Sequence, residues 1–447
     1  MSKVYDVIIV GAGPAGLMAA KVAGENGIKT ALIERALIER RKDISINRRT
    51  DGGALGLKSY LFNQMLTYNP RDKRFCFPTS GFSLSYDGPI GDLYGFRIFS
   101  PGGKYITLGD WKELKKEPEK NRVGVALDKG LLLKGILDEV EKKQDVDVYL
   151  GTNVTHIEKS GDKWKITADE SEFVAKYVIA ADGINSRITR ILGINKQRKF
   201  LGTSRYLTLI MENVEPPEDI DGFLFVLTDY GVFDILPICY EGQFHVDYFT
   251  RDPKENLLEK LDKFMNEDKV YSAWFKNARR TGEVQSCVVN LNSPLKDPYH
   301  DGVLIIGDAA WIQEMGNMGA FCCGWKAANT LSLALVGDKF EKDAIADYLK
   351  WWDEVFYKQF GDIEFPELSF SDYLSAGDMD YLVCLITEPL PASLDFFELF
   401  YGVGNAYVEL LPRIQEERPD VYEKMLRMRD AIGDEKKLSA KIGFPNR

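Results

Sequence analysis

The chain opens on a short apolar run, Tyr5–Val10 (Y-D-V-I-I-V), rich in β-branched residues. Such a run predicts a strand buried on both faces of a parallel sheet. Gly11–Gly16 follows at once. An Ala-rich segment, Leu17–Glu25, then predicts a helix that stops at Asn26-Gly27. Thr30–Ile33 predicts a second strand ending at Glu34. Strand, helix and strand make a βαβ opening.

Further along, periodicity changes twice. Residues 35–56 are polar and Gly-rich and predict a loop, in which A-L-I-E-R at Ala31–Arg35 recurs at Ala36–Arg40. Gly95–Thr107 suits a hairpin turning at Pro101-Gly102-Gly103. Lys129–Lys143 predicts an amphipathic helix. Val146–Ile157, Trp164–Thr167 and Phe173–Ala180 predict strands. Residues 203–290 alternate as an antiparallel sheet, with strands such as Tyr206–Met211, Phe223–Leu227 and Gln243–Phe249. One helix, about Lys254–Asn266, interrupts it. Gly302–Ile306 returns as a buried strand. A helix is expected to begin near Phe321, and the chain is mainly helical after Gly324. The expected fold class is α/β. A Rossmann-like nucleotide-binding unit is assembled from residues 1–80, 121–200 and 295–335. A substrate sheet is inserted at 81–120 and 201–294, and 336–447 form a helical C-terminal region.

Composition narrows the function. At 447 residues the chain is long enough for two or three structural units. Its net charge of −11 disfavours nucleic acid as a partner. The six cysteines include no C-x-x-C, the N-terminus runs directly into a strand, and free thiols in a reducing cytoplasm are expected. Three scattered histidines argue against a metal centre. No apolar run nears the roughly 18 residues of a membrane span, although contact with a membrane surface stays open.

Three motifs carry the chemistry. The first is Gly11-Ala12-Gly13-Pro14-Ala15-Gly16, between a strand and a helix. In such a turn the first glycine permits tight bending, the second lets the backbone approach a pyrophosphate, and the third lets helix and strand pack closely. The helix N-terminus offers free N–H groups to phosphate. Glu34 follows at about the 20-residue distance where an acid accepts from ribose hydroxyls; the repeated Glu39 is its rival. The second motif is Ala180-Ala181-Asp182-Gly183, followed by Asn185, Ser186 and Arg187. It reads equally as an ordinary turn. The third is Gly307-Asp308-Ala309-Ala310 after a strand, followed by Gly316, Gly319 and Ala320. Its Asp can reach a sugar or ribityl hydroxyl, or can be a buried cap.

In this order and spacing the motifs resemble the flavoprotein superfamily of aromatic-ring hydroxylases (group A monooxygenases), flavin halogenases and geranylgeranyl reductases, over roughly residues 4–335. The resemblance implies one extended FAD. Its pyrophosphate would lie on Gly11–Gly16, its adenosine ribose on Glu34, and its ribityl–phosphate side on Asp308, with Arg35, Gly307, Gly319 and Ala320 also in the cofactor site. Arg49, Val154, Asp182 and Gly183 complete the implied set. No second GxGxxG appears, so NAD(P)H or ferredoxin would deliver electrons without a domain of its own. Arg41–Gly53 and Phe99–Lys104 look like the geranylgeranyl reductase versions of their loops. Tyr230–Pro237 (Y-G-V-F-D-I-L-P) loosely resembles that family's Y-x-W-x-F-P signature, with Val232 for Trp and two extra residues before Pro237.

The resemblance implies a reductase or dehydrogenase acting on C–C unsaturation of an apolar, isoprenoid-type substrate. The alternatives are an NAD(P)H- and O₂-dependent hydroxylase and a flavin-binding module without turnover. No nucleophile–base constellation is visible, as expected where a flavin does the hard chemistry. Glu314 is the one candidate proton donor, or else a helix-start carboxylate. Cys322 and Cys323 read as buried structural thiols. Arg205 and Tyr206 should point to opposite faces of a strand. Leu394–Leu411 reads as an amphipathic helix that packs on its own domain, covers a lipid-like ligand or touches a membrane surface.

Overall fold

The computed structural model describes residues 3–36, 53–59, 64–216, 221–311, 316–337, 342–358, 370–394 and 396–432. Strand β1 (Lys3–Val10) lies at the centre of an eight-stranded sheet. It runs parallel to β2 (Thr30–Glu34) on one side and to Ser171–Ala180 on the other. Ile8 and Ile9 are fully buried, which is why this run shows no alternation. Val146–Leu150 extends the sheet beyond β2. On its side away from β1, Ser171–Ala180 has two partners. Its first half pairs antiparallel with Lys163–Ala168, and its last residues pair parallel with Val303–Ile305. The parallel strands therefore all finish on one edge, at Val10, Glu34, Ala180 and Ile305.

Helix α1 (Pro14–Glu25) has Pro at its first turn, where a missing N–H costs nothing. The long helix Gly316–Val336 packs against it. The approach is close: a Cβ on Gly324 would lie 2.2 Å from the Ala15 carbonyl oxygen. This helix begins at Gly316, earlier than the expected Phe321. Gly316 takes φ +68°, a backbone conformation that glycine adopts without steric cost. The expected strand Val146–Ile157 is also two strands, Val146–Leu150 and Val154–Ser160. Gly151 at φ +67° breaks them, and the chain leaves β2 for Lys163–Ala168.

A second eight-stranded sheet is ordered Tyr105–Leu108, Phe96–Phe99, Phe223–Thr228, Gly231–Pro237, Gln243–Thr250 and Phe200–Glu212. Gln285–Asn292 and Arg279–Arg280 flank the last strand. The hairpin at Gly103 joins through parallel pairing of Phe96–Phe99 with Phe223–Thr228. One face buries Leu224, Val226, Phe233, Ile235 and Val246 against Leu261, Phe264, Tyr271 and Trp274. Phe233 and Phe264 stack at 4.1 Å. The helix expected at Lys254–Asn266 supplies this cover as an α-helix over Leu257–Asp262 continued by a π-turn over Lys263–Glu267. Tyr206 and Arg205 part as alternation requires. Tyr206 stacks on Phe249, and Arg205 donates to the Glu255 carbonyl at 2.7 Å.

The opposite, inward face is apolar at both ends. At one end Phe96, Phe223 and Leu236 meet Leu399, Val403 and Tyr407 of the helix Phe396–Glu417. The expected helix over Leu394–Leu411 is found within Phe396–Glu417 and packs on the second sheet. At the other end Ile184 meets Val289 and Leu291. Among the described residues no helix is long and apolar enough to cross a membrane.

Candidate cofactor-binding site

A cavity of about 890 Å³ runs along the edge where the parallel strands end. This is where open α/β sheets place ligands. Its walls are the turn Gly11–Ala15, residues Glu34–Ala36, Thr152–Val154, Ala181–Gly183, Ile306–Asp308, and Gly316, Asn317 and Ala320.

The three glycines of the first motif have different physical duties. Gly11 adopts φ +100°, and a Cβ there would sit 2.4 Å from the Ala181 carbonyl oxygen. A Cβ on Gly16 would lie 1.9 Å from the Gly11 carbonyl oxygen. Both glycines are demanded by the protein itself. At Gly13 a Cβ would meet nothing within 4 Å. That empty approach, at the N-terminus of α1, fits a phosphate group held by backbone N–H groups.

Glu34 ends β2 on the cavity wall. Its carboxylate accepts from the Ala12 N–H at 2.7 Å and the Ala36 N–H at 2.9 Å. The strand break beyond Leu150 braces the same corner, with Thr152 N–H donating to the Glu34 carbonyl at 2.9 Å and Gly151 N–H to the Ala36 carbonyl at 3.0 Å. Arg35 and Val154 also line the cavity. Gly16 and Gly319 do not line it; they are packing positions behind it. Arg49, Glu39 and Glu314 lie outside the described residues.

Asp182 lines the cavity with its oxygens already engaged. Ser186 Oγ donates to it at 2.6 Å, Arg187 N–H at 2.7 Å and Ile188 N–H at 3.1 Å. Burial raises its pKa, and those three donors oppose the rise. The Asp-Gly motif thus starts the short helix Arg187–Ile191, with Gly183 at φ +81° making the turn. Asp308 sits in a single 3-10 turn, Gly307–Ala309, at the end of Val303–Ile305. Gly307, at φ +64°, approaches Ala15 closely enough that a Cβ would be 3.1 Å away.

Two arginines have roles that the sequence leaves hidden. Arg198 donates to the carbonyls of Ser293 at 2.5 Å and Ala309 at 3.1 Å, and also to that of Trp311. It therefore ties the Gly-Asp-Ala-Ala segment to the second sheet. Burial pulls its pKa down to about 10. Arg187 reaches back to Asn153 Oδ1 at 2.8 Å and to the Val154 carbonyl at 2.6 Å, holding the cavity's side wall. Neither role has a local signal, because each acts on chain about 30 to 110 residues away. Asn317 is 2% exposed, and among the described residues its Oδ1 has no partner. It stands in the first turn of the long helix, on the cavity wall. Cys323 is buried and its thiol is pushed up to about 12 by that burial; Cys322 is raised for the same reason. Thiols of that kind are inert structural groups.

The open glycine, the helix N-terminus, the acid at the ribose distance and the elongated cavity fit FAD. Comparison with known proteins agrees. The family described as "FAD binding domain" matches residues 4–50 and 129–319, more than half of the chain. The chain is 30% identical over 437 residues to digeranylgeranylglycerophospholipid reductase of Methanosarcina acetivorans, covering 92% of this chain and 95% of that one. It is 26% identical over 411 residues to the protein of the same name from Methanocaldococcus jannaschii, covering 89% and 94%. In fold it is similar to a geranylgeranyl bacteriochlorophyll reductase-like protein from Thermoplasma acidophilum. That match has a TM-score of 0.70 at 21% identity and covers 96% of this chain and all of the other. The chain belongs to the FAD-dependent oxidoreductase superfamily that holds the geranylgeranyl reductases and the group A flavin monooxygenases.

Proposed function

We propose that this enzyme is a reductase that saturates carbon–carbon double bonds of an isoprenoid-type substrate, with NAD(P)H or ferredoxin as electron donor. The observation that carries the reading is end-to-end likeness to a reductase of isoprenoid lipids, at 30% identity over 92% of the chain. Bound FAD supplies hydride chemistry. The protein's own residues bind and orient. The Gly13 backbone and the start of α1 take the pyrophosphate. Glu34, held by two N–H groups, takes the adenosine ribose, beside Arg35 and Val154. Asp308, in its 3-10 turn, takes the ribityl side, with Gly307 and Ala320 leaving room. The N-terminus of Gly316–Val336 stands on the cavity wall, where its positive dipole end would favour negative charge on a bound flavin. The inward face of the second sheet, apolar at both ends, covers the substrate.

The test is an anaerobic titration. NADPH or reduced ferredoxin should bleach the flavin, and a polyprenyl substrate should restore its absorbance while gaining hydrogen by mass spectrometry. A requirement for O₂, with an oxygen atom in the product, would instead establish the hydroxylase.

A further inference from the structure

The inward face of the second sheet is not apolar throughout. Asp234 stands directly opposite Asp247 across neighbouring strands. Asp247 stands opposite Thr208, and Thr208 opposite Gln285. One polar row therefore crosses four strands, with side chains on the same face and neighbouring Cβ atoms roughly 5 Å apart. His245, two residues before Asp247, shares that face.

The row is buried at Asp247 and Gln285, half-buried at Asp234 and Thr208, and incomplete. Asp247 is 8% exposed and Gln285 7%. Among the described residues no hydrogen-bond partner reaches Oδ1 of Asp234, Oδ1 of Asp247 or Nε2 of Gln285. None of the salt bridges among the described residues involves either carboxylate, and His245, pulled down to about 4 by burial, is neutral. Each unmade buried hydrogen bond costs about 1–3 kcal/mol. Three in one row point to something that arrives later. Like charges on facing strands oppose each other's ionisation, so the pair favours keeping a proton. Burial raises both, Asp247 to about 7, and the Asp247 charge adds to the rise at Asp234. The Tyr230–Pro237 stretch departs from the reductase signature just here, and Asp234 falls inside the interruption.

The unmet groups state what they want. Carboxylate oxygens accept hydrogen bonds, and the Gln285 amide donates one. A hydroxyl does both; an ammonium cannot accept, and a phosphate is repelled by the pair's remaining charge. We propose that Asp234, Asp247 and Gln285 form a polar anchor for an uncharged, hydroxyl-bearing substrate headgroup and select against phosphorylated ones. The inference rests on the reading of this sheet face as the substrate site, and it deepens that reading by naming the headgroup.

The experiment uses FAD-loaded protein and calorimetry with two tail series. One is geranylgeraniol, its methyl ether and geranylgeranyl phosphate. The other is hexadecanol, its methyl ether and hexadecyl phosphate. The wild type should bind the alcohol roughly tenfold or more tighter than ether or phosphate. Asp247→Leu should remove the alcohol–ether difference, and Asp247→Asn should let the phosphate bind better. Both should keep the flavin spectrum, which separates them from misfolded protein. Headgroup selection in the hexadecyl series alone would retain the anchor and overturn the isoprenoid reading. Equal binding of the three headgroups in both series, no binding in either, or ratios unchanged in both variants would overturn the anchor.

Discussion

The two large sheets of this protein solve recognition in opposite ways. In the first, the central parallel strands bury both faces as core. Function sits at their ends, where backbone turns leave N–H groups and space. In the second, one face is core and the other presents side chains from four strands in one row. The first sheet's edge offers recognition by omitting a side chain at Gly13, on a turn whose own packing requires glycine at Gly11 and Gly16. The second recognises by placing side chains, at Asp234, Asp247 and Gln285. Backbone recognition tolerates almost no added atom, whereas side-chain recognition turns on charge and protonation.

The largest effect should follow from adding atoms to the first sheet. Gly16→Val puts a side chain where even a Cβ would lie 1.9 Å from the Gly11 carbonyl oxygen. Backbone cannot move aside as a flexible side chain can. The expected cost is about 3 kcal/mol or more, read as a large fall in melting temperature together with loss of bound FAD. A variant that melts like wild type would show that the turn is softer than its geometry implies.

The second sheet should answer to pH instead. Asp247 has a folded pKa of about 7, raised by burial, against an ordinary Asp value near 3.9. Between those values the folded chain holds a proton that the unfolded chain has released. The stability this proton contributes is fully present below about pH 4 and is lost as pH rises through about 7. Denaturant melts of wild type and Asp247→Asn should therefore diverge with pH over that window, the wild type losing stability relative to the variant. Asp234 shares the proton, so Asp234→Asn should act in the same direction. A difference independent of pH would mean that the pair is ionised and paired in the folded state.

This contrast also explains what the sequence let one read. Gly16 obeys a steric demand made by the Gly11 carbonyl within six positions of chain, and Glu34 lies at a spacing set by one helix and one strand. Such local demands leave local marks. The Asp234–Asp247–Thr208–Gln285 row does not, because its members lie up to 77 positions apart and meet only through strand register. Arg198 is hidden for the same reason: its partners are carbonyls of residues about a hundred positions away. The Asp182-Gly183 motif was visible, yet only the structure shows its carboxylate engaged by Ser186, Arg187 and Ile188. The missed boundaries have a shared cause too. Gly151 and Gly316 change the chain's direction through positive φ, which a glycine permits but does not announce.

Gly13 separates folding from binding inside the first sheet. With nothing within 4 Å of a Cβ there, Gly13→Ala should leave the melting of FAD-free protein within about 0.5 kcal/mol of wild type. It should weaken FAD about tenfold, near 1.4 kcal/mol, because the added methyl occupies the phosphate approach. Titration of FAD by fluorescence quenching reads this directly. Equal affinity would move the pyrophosphate away from this turn.

The smallest effect should come at Glu34, where the first sheet does use a side chain. Its two carboxylate oxygens accept from two N–H groups, one on the glycine turn and one beyond β2. Glu34→Gln keeps the shape but replaces one acceptor oxygen with a donor, which then faces an N–H. One hydrogen bond is lost and its N–H is left to water, at about 1 kcal/mol. The apo protein should be destabilised by that amount, and FAD affinity should fall about fivefold because the ribose loses an acceptor as well. If affinity is untouched while stability drops, Glu34 only staples the turn, and the ribose is held elsewhere along the cavity wall.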